Sequence, residues 1–310
     1  MQRKIPRRRV DGVLLLDKPL GLSSNQALQK VRWLLKAKKG GHTGNLDPLA
    51  TGVLPLCFGD ATKFAQFGLE ADKVYVTRIQ LGEQRATGDA EGEVLAKAAV
   101  PTLTQTDLDA VLSRFLGSQQ QQPPMYSALK HQGKKLYELA REGKQIDRPR
   151  RQIQVHQLDL LAWGEDFIEL QVHCSKGTYI RVLGEDIAQA LGTLGYLASL
   201  RRVKSGPFTE EQCVQLDQLQ ALAEHSGESG VESRLYPVDF LLEHLPLQEL
   251  NPEQALSLTR GQAVALLDSK LKIGENVRLY AADKRFLGLA EVMAASSGQL
   301  LLAPKKICAA

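Results

Sequence analysis

The spacing of apolar residues predicts three strands, at residues 10–17, 73–81 and 168–174. Residues 10–17 form a short apolar run, which predicts a buried strand that ends in a turn at 18–21. Residues 73–81 place Tyr75 and every second residue after it on one apolar face, and residues 168–174 alternate between apolar and polar side chains. This period of two is typical of half-buried strands.

Helical spacing occurs in three further segments. Ser24 suits the N-cap of a first helix. Its apolar face consists of Ala27, Leu28, Val31, Leu34 and Leu35. A second helix is predicted at 103–116, and a third at 183–191 that ends at Gly192. The glycine- and proline-dense residues 40–60 are predicted to form a loop, and 82–92 a polar, turn-rich segment.

A second unit begins near Pro246. Asn251 suits an N-cap and Pro252 a first helical position, and Gly261 closes this helix. Its predicted strands are 277–281, 286–291 and 300–303, with turns at Asp283-Lys284 and Ser297-Gly298. Because strands are scattered among helices without regular βαβ alternation, the whole chain is predicted to have a mixed α+β fold.

Composition excludes several classes of protein. The chain has 310 residues, of which 43% are hydrophobic and 24% charged, so disorder and fibrous repeats are excluded as its main state. The four cysteines are scattered and no Cys/His cluster has metal spacing, which argues against a disulfide framework and a structural zinc site. No apolar run approaches the ~20 residues of a membrane span, and no apolar stretch follows the basic start, so we expect a reducing cytoplasmic location.

Charge is unevenly distributed although the net charge is only +4. Residues 1–45 contain eleven Lys or Arg, Arg3 and Lys4 among them, against two Asp, and residues 130–151 contain eight against three acidic residues. The stretch 209–255 is acidic. This separation indicates a positive face for a polyanion such as RNA or DNA, although solvated helix faces would give the same pattern.

One loop has the composition of a ligand site. The segment Gly41-His-Thr-Gly-Asn-Leu-Asp-Pro-Leu-Ala-Thr-Gly-Val-Leu-Pro-Leu56 places three glycines and two prolines around Asp47, its only acidic residue. A stiff loop of this kind can bring its backbone close to a ligand while it holds one carboxylate in place. An isolated Asp-Pro pair is more often a turn, so the interpretation depends on the complete segment.

The complete segment resembles the active-site signature of the TruB family of pseudouridine synthases, which modify uridine 55 in the T-loop of tRNA. Other matching segments keep the family's order over residues 10–210. They are Gly59-Asp-Ala-Thr-Lys-Phe64, Asp72-Lys-Val-Tyr75, Pro123-Pro-Met-Tyr-Ser-Ala-Leu-Lys130, Gly133-Lys-Lys-Leu-Tyr137 and Cys174-Ser-Lys-Gly-Thr-Tyr-Ile-Arg181. The segment Arg85-Ala-Thr-Gly-Asp89 departs from the family pattern, which often has more hydroxyl groups and Asp there.

The resemblance implies a catalytic centre that needs no cofactor and no metal. The family's reaction moves the uracil from N1 to C5 on the same ribose, and it needs an ionised carboxylate at the sugar or base. Asp47 matches that carboxylate, Arg181 its cationic partner, and Tyr75 an aromatic residue that stacks on the base or moves a proton. Whether Asp47 adds to the base, adds to C1′ or assists an elimination stays open.

The resemblance also implies a set of RNA contacts. His42 matches the residue that fills the gap left in the RNA stack when the target base is flipped out. The other predicted substrate or RNA contacts are Lys18, Lys176, Tyr179, Asp89, Lys130, Arg141, Arg148, Arg150 and Arg151. Of these, the basic residues of the insert would bind phosphates.

The implied architecture is a catalytic domain with a largely antiparallel sheet over 1–246, an RNA-gripping insertion at about 118–152, and a small β-rich, PUA-like RNA-binding domain over 247–310. The implied partner is the T-stem-loop of tRNA, and we expect a monomer with no membrane and no obligatory protein partner. Two alternatives remain: a guide-RNA-dependent synthase for ribosomal RNA, and a tRNA-binding folding chaperone without essential catalysis. The basic insert favours the stand-alone enzyme.

Overall fold

The computed structural model describes residues 6–266, 270–296 and 298–309. The predicted residues Arg3, Lys4 and Ser297 lie outside these ranges. Within them, none of the helices combines the length and the apolar character that crossing a membrane requires. The fold is α+β, with one large mixed sheet and one smaller sheet near the C-terminus.

The elements up to residue 232 build the large sheet, its covering helices and two hairpins. The strands are β1 (Gly12–Lys18), β2 (Gly40–His42), β3 (Ala50–Phe58), β4 (Lys73–Leu81), β5 (Glu83–Arg85), β6 (Val94–Lys97), β7 (Gly117–Gln121), β8 (Lys130–His131), β9 (Lys134–Lys135), β10 (Arg151–Trp163), β11 (Phe167–Cys174), β12 (Gly195–Ser205), β13 (Phe208–Thr209) and β14 (Val214–Gln215). The helices are α1 (Ser24–Leu34), α2 (Ala65–Glu70), α3 (Gln105–Ser113), α4 (Leu136–Arg141), α5 (Ile180–Ala190) and α6 (Leu216–Glu232).

The large sheet is largely antiparallel, as predicted. Its order is β14-β1-β3-β12-β4-β11-β10-β7, with β2 beside β3 and β13 beside β12. Only the pairs β1–β14 and β3–β12 are parallel among the described strands of this sheet. Strands β4 and β11 have the predicted alternation, because every second side chain along each is buried.

The prediction that residues 40–60 form one loop was wrong, because β3 lies in the middle of the sheet there. Eight of its nine residues are buried, and it pairs with β1 from Gly52 to Phe58 and with β12 at its start. The glycines and prolines favoured a loop, but the apolar residues on either side of Pro55 are buried on the two faces of the sheet. The true loop is the short connection between β2 and β3.

Helix α1 begins at Ser24, one residue earlier than predicted, and therefore has a different cap. Ser23 is the N-cap and accepts a hydrogen bond from the backbone of Gln26. Ser24, predicted as the cap, is instead buried inside the first turn. Helix α6 in the acidic stretch was not predicted, and neither was the β5–β6 hairpin, which begins in the turn-rich segment and ends beyond it.

In the described part of the C-terminal unit, the elements are β15 (Leu247–Leu250), α7 (Pro252–Thr259), β16 (Val264–Ala265), β17 (Asn276–Ala281), β18 (Phe286–Ala294) and β19 (Leu300–Ile307). The strands form a separate sheet in the order β15-β17-β18-β19-β16. Asn251 caps α7 with Pro252 in its first turn, as predicted. The β-rich character of this unit is therefore confirmed.

Candidate active site

The loop between β2 and β3 carries Asp47 and is fixed on both sides of it. The Ser24 hydroxyl accepts a hydrogen bond from the Leu46 backbone N–H at 2.7 Å and donates one to the Leu46 carbonyl at 3.1 Å. The backbone N–H of Gly21 donates to the Pro48 carbonyl at 2.8 Å. The backbone that presents Asp47 is thus tied to α1 and to the turn after β1.

Arg181 lies in the first turn of α5 and faces Asp47. Its side chain is only 6% exposed, and Nη2 lies 2.9 Å from Asp47 Oδ2. The guanidinium also donates to the backbone carbonyls of Thr87 and Tyr126, each at 2.6 Å. These bonds fix the plane of the guanidinium, so the ion pair has a defined geometry.

Asp89 lies behind this ion pair and away from solvent. Its Oδ2 is 3.7 Å from Arg181 Nη1, and its side chain is 4% exposed. Thr87 donates a side-chain hydrogen bond to the other carboxylate oxygen. Asp89 was predicted as a substrate or RNA contact, which stays a prediction; in the structure its buried carboxylate lies against the guanidinium of Arg181.

The environment of Asp47 raises its pKa. Its side chain is 44% exposed toward a cavity, yet the protein around the carboxylate removes much of its hydration and so raises the pKa above the ordinary value. Arg181 and Lys18 act in the opposite direction, while the charge of Asp89 adds to the increase. Asp47 therefore ionises at a higher pH than an isolated Asp, and the two cations favour its charged form.

The cavity beside Asp47 has a volume of about 280 Å³, enough for one nucleoside. It brings together Asp47, Tyr75, Tyr179, Arg181 and, from the insert, Arg151. Tyr75 is 9% exposed and extends from β4, and burial raises the pKa of its hydroxyl, which therefore stays protonated. The site thus combines one carboxylate, two aromatic rings and hydrogen-bond donors.

Arg202 adds a second buried guanidinium to this cavity. It is 1% exposed, and its Nε donates to the Val53 carbonyl at 2.7 Å. Its Nη2 is buried and makes no hydrogen bond with the described residues. Gly52 lies against it with φ of +100°, and a Cβ there would lie 2.2 Å from the Arg202 carbonyl oxygen. Only glycine fits at this contact.

Lys18 is buried below the Asp47 loop and does not face solvent. It is 0% exposed, and its ammonium donates to the carbonyls of Pro19 and Leu22. Burial lowers its pKa to about 8, although the charge of Asp47 opposes this decrease. Lys18 was predicted as a substrate or RNA contact, which stays a prediction; in the structure its ammonium braces the turn after β1 and supplies positive potential to Asp47.

His42 is the last residue of β2 and lies half-buried beside the same loop. Burial lowers the pKa of its imidazole, so the neutral form is favoured. Its Nδ1 makes no hydrogen bond with the described residues. The structure places His42 outside the cavity lining, a position consistent with a contact to RNA around the pocket.

The predicted residues after β11 divide between the cavity and the surface. Tyr179 lines the cavity, and the guanidinium of Arg151 lies 4.6 Å from the centre of its ring. Gln121 holds the backbone of Tyr179 by accepting from its N–H at 2.8 Å. Lys176 is exposed outside the cavity, where its ammonium lies 3.4 Å from a Glu70 carboxylate oxygen.

The remaining basic residues of the insert lie on a surface next to the cavity. Lys130, Arg141 and Arg150 are exposed. Arg148 is half-buried and donates to the carbonyls of Pro123 and, through Nε, of Ile146. Arg148 therefore holds the insert together, while the three exposed side chains are free to approach a phosphate backbone.

Three family models match this chain almost end to end. Residues 32–180 match a "TruB family pseudouridylate synthase (N terminal domain)", residues 181–243 a "tRNA pseudouridylate synthase B C-terminal domain", and residues 246–307 "Pseudouridine synthase II TruB, C-terminal". This chain belongs to the TruB family. The prediction from its sequence segments is confirmed.

Curated relatives of this TruB family member extend over nearly its whole length. It is 51% identical over 291 residues to a tRNA pseudouridine synthase B of Pseudomonas fluorescens (strain Pf0-1). The matched residues cover 94% of each chain. It is 49% identical to a tRNA pseudouridine synthase B of a Marinomonas species (strain MWYL1), which covers 93% of each chain. The chain is accordingly a pseudouridine synthase, an isomerase.

Solved structures support the same fold. The TruB family chain is similar to a chain in a crystal structure of a Cbf5-Nop10-Gar1 complex, with a TM-score of 0.71 and 26% identity. The similarity covers 96% of this chain and 84% of the other. It confirms the mixed α+β catalytic fold with a β-rich C-terminal unit.

Sequence reasoning missed two cations of this TruB family site. Arg202 and Lys73 both line the cavity, and burial lowers the pKa of Lys73 to about 8. Arg202 was not among the predicted site residues, and Lys73 was predicted only as the start of a strand. The available signal was their position in apolar strand segments, where a cation is rarely buried without a function.

Proposed function

We propose that this chain converts uridine 55 in the T-loop of tRNA to pseudouridine; its curated relatives are named tRNA pseudouridine synthase B. The observation that carries the proposal is the 2.9 Å pair of Asp47 and Arg181 at a nucleoside-sized cavity. About half of the residues are identical to those of curated tRNA pseudouridine synthases over nearly the full length. The T-stem-loop is the proposed contact region of the tRNA.

The reaction needs only groups that the cavity supplies. The N1–C1′ bond breaks, the base turns, and a C1′–C5 bond forms; C5 loses a proton and N1 gains one, so no electrons change hands. Asp47 is the proposed carboxylate that adds to the base, adds to C1′ or assists an elimination. Arg181 holds that carboxylate in its ionised form against the desolvation that raises its pKa.

Two neighbours of Asp47 are proposed to orient the base. The ring of Tyr75 stacks on the flipped uracil, and its protonated hydroxyl is available for proton transfer. The buried Nη2 of Arg202 makes no hydrogen bond with the described residues, so it can donate to the nucleotide that enters the cavity. Binding would satisfy a donor that is otherwise costly to leave without a partner.

Contacts of surface residues with the RNA are proposed to offset the free energy needed to flip the base, which is a few kcal/mol. His42 would occupy the vacated place in the RNA stack, and the exposed Lys130, Arg141 and Arg150 would bind phosphates. Two sheets with separate apolar cores support the proposed division into domains over 1–246 and 247–310. The insertion at about 118–152 is part of the same proposal. A monomer that acts in the cytoplasm is also part of this proposal.

The test is incubation of the purified chain with an unmodified tRNA transcript, followed by mapping of pseudouridine. Product at position 55 with protein alone supports the proposal. A requirement for a guide RNA and added proteins would favour the guide-dependent alternative. RNA refolding without any product, from a preparation that binds tRNA, would favour the chaperone alternative.

A further inference from the structure

Two histidines and one aspartate meet at the surface of the large sheet, outside the cavity. His156 Nε2 lies 3.2 Å from Asp72 Oδ2, and His173 Nε2 lies 3.9 Å from the same oxygen. The two imidazole rings are 4.8 Å apart. One ligand atom from each of the three side chains lies within 4.8 Å of the others.

The fold builds this group from three separate segments. His173 is on β11, and Asp72 immediately precedes β4, the neighbouring strand. On the other side of β11, the pairing with β10 skips one residue between Val155 and Gln157. That residue is His156, so a β-bulge turns its ring toward β11. Bulges often re-aim a side chain next to a functional site.

The three side chains are accessible from solvent. Their exposed fractions are 48% for Asp72, 35% for His156 and 38% for His173. Asp72 forms no ion pair with a Lys or Arg among the described residues. Its two histidine partners therefore offer imidazole nitrogens, and Asp72 offers a carboxylate oxygen, on one open surface.

We propose that Asp72, His156 and His173 form a binding site for a divalent transition-metal ion of the zinc type. Imidazole and carboxylate are typical ligands of Zn²⁺, and three protein ligands leave a fourth position for water. Tetrahedral coordination at about 2.1 Å places ligand atoms about 3.4 Å apart. The separations from Asp72 bracket this value, and all three ligand atoms lie within 4.8 Å of one another, so side-chain rotations that bring the two imidazole nitrogens to about this separation would complete the site.

The position of the site links it to the wall of the cavity. Asp72 is followed by Lys73, which lines the cavity, and His173 lies two residues before Ser175, which also lines it. A bound ion would join β10, β11 and the start of β4 at this edge. Metal binding is thus expected to stiffen the strands that carry cavity residues, and to raise the thermal stability of the folded chain.

The experiment uses the full chain after treatment with a chelator, and Zn²⁺ as the probe in calorimetric titration and thermal unfolding. We expect one equivalent of Zn²⁺ to bind and to raise Tm by about 5 °C at saturation. H156A and H173A are each expected to weaken binding at least about 10-fold. H225A, an exposed histidine on α6, is the matched control and should bind as the unaltered chain does.

Cobalt supplies a readout that does not depend on stability. Co²⁺ at the proposed site should give visible absorption without thiolate charge transfer, because no cysteine is among its ligands. Absence of stoichiometric Zn²⁺ binding would overturn the proposal. So would equal binding by H156A, H173A and H225A, or a thiolate band, since each places the ion elsewhere.

Discussion

At the scale of single residues, the Asp47 carboxylate is the group on which the proposed chemistry depends. Replacing it by Asn keeps the shape and the Arg181 hydrogen bond but removes the negative charge. We expect Asp47→Asn to lower turnover by about 10⁴-fold or more, because loss of a participating nucleophile or base has costs of this size. Single-turnover formation of pseudouridine measures this, and tRNA binding should persist.

The matched control is Asp109→Asn, an exposed aspartate on α3, which should leave turnover unchanged. Residual activity of Asp47→Asn above about a percent would contradict direct participation of the carboxylate.

Lys18 has an electrostatic effect on Asp47 without contacting the cavity. Its buried ammonium lowers the pKa of Asp47, against the larger increase caused by desolvation. Replacing Lys18 by Met removes this charge, so the pKa of Asp47 should rise further. Because turnover needs the ionised form, the acidic limb of the kcat/KM profile should move to higher pH. Lys97→Met, on β6, is the control; an unmoved acidic limb in Lys18→Met would contradict the coupling.

Glu185 on α5 gives a stability prediction with a defined pH window. Burial raises its pKa to about 7 in the folded chain, from 4.5 in the unfolded chain. Between pH 4.5 and pH 7 the folded state binds more protons than the unfolded state, so the free energy of unfolding falls as pH rises. This decrease is complete once the pH lies above 7. Glu185→Gln should therefore be more stable by about 2 kcal/mol at pH 8 and show no gain near pH 4.

Chemical denaturation at both pH values measures this difference. Glu165→Gln, an exposed acid between β10 and β11, serves as the control. A gain that is the same at acidic and alkaline pH would show that the effect comes from packing and not from ionisation.

At the scale of elements, α1 and the Asp47 loop are joined through Ser24. Ser24→Ala leaves the backbone N–H and carbonyl of Leu46 without their partner. This loss destabilises the ordered conformation of the loop by about 1–3 kcal/mol. We expect kcat to fall while KM changes little, because the loop positions Asp47 rather than binding the whole RNA. Steady-state kinetics on tRNA measure both.

Ser23→Ala separates this effect from helix stability. Ser23 caps α1, so its loss should lower protein stability by about 1 kcal/mol and leave kcat unchanged. Equal kcat values for Ser24→Ala and Ser23→Ala would contradict the positioning role of Ser24.

Elements with a clear hydrophobic period were predictable from sequence, and those defined by tertiary contacts were not. Strand β4 was predicted with its bounds because its alternation is regular. Strand β3 was missed because glycine and proline outweighed its apolar run, and Gly52 is required there by the close approach of Arg202. His156 and His173 meet only through strand pairing and a bulge, neither of which sequence spacing reveals.

The same limit applies to the candidate site. The Asp47–Arg181 pair followed from the family resemblance, whereas the inward positions of Lys18 and Asp89 depend on which side of the backbone each faces. Both residues are charged, and charge alone favoured a surface position. The structure shows that burial is tolerated because carbonyl groups or an arginine satisfy them.

At the scale of the whole molecule, the β-rich C-terminal unit is attached to the catalytic unit by specific contacts. Asp239 accepts hydrogen bonds from Arg278 and from the hydroxyl of Tyr280. The rings of Phe64 and Phe286 meet edge to face at 5.5 Å. These polar and aromatic contacts fix the C-terminal unit against the catalytic unit.

The exposed cations of the basic insert predict how RNA binding depends on salt. Lys130, Arg141 and Arg150 are exposed on the basic insert, and each phosphate contact that they make releases counterions. Replacing all three by Gln should weaken tRNA binding and reduce the slope of log Kd against log salt by about 2, measured between about 50 and 200 mM. Arg234→Gln, which removes the one cation of the acidic stretch 209–255, should leave the slope unchanged.

An equal slope for the triple variant and the unaltered chain would exclude the insert from the interface. Arg148 is left in place because its bonds to backbone carbonyls hold the insert, and its loss would confound charge with unfolding.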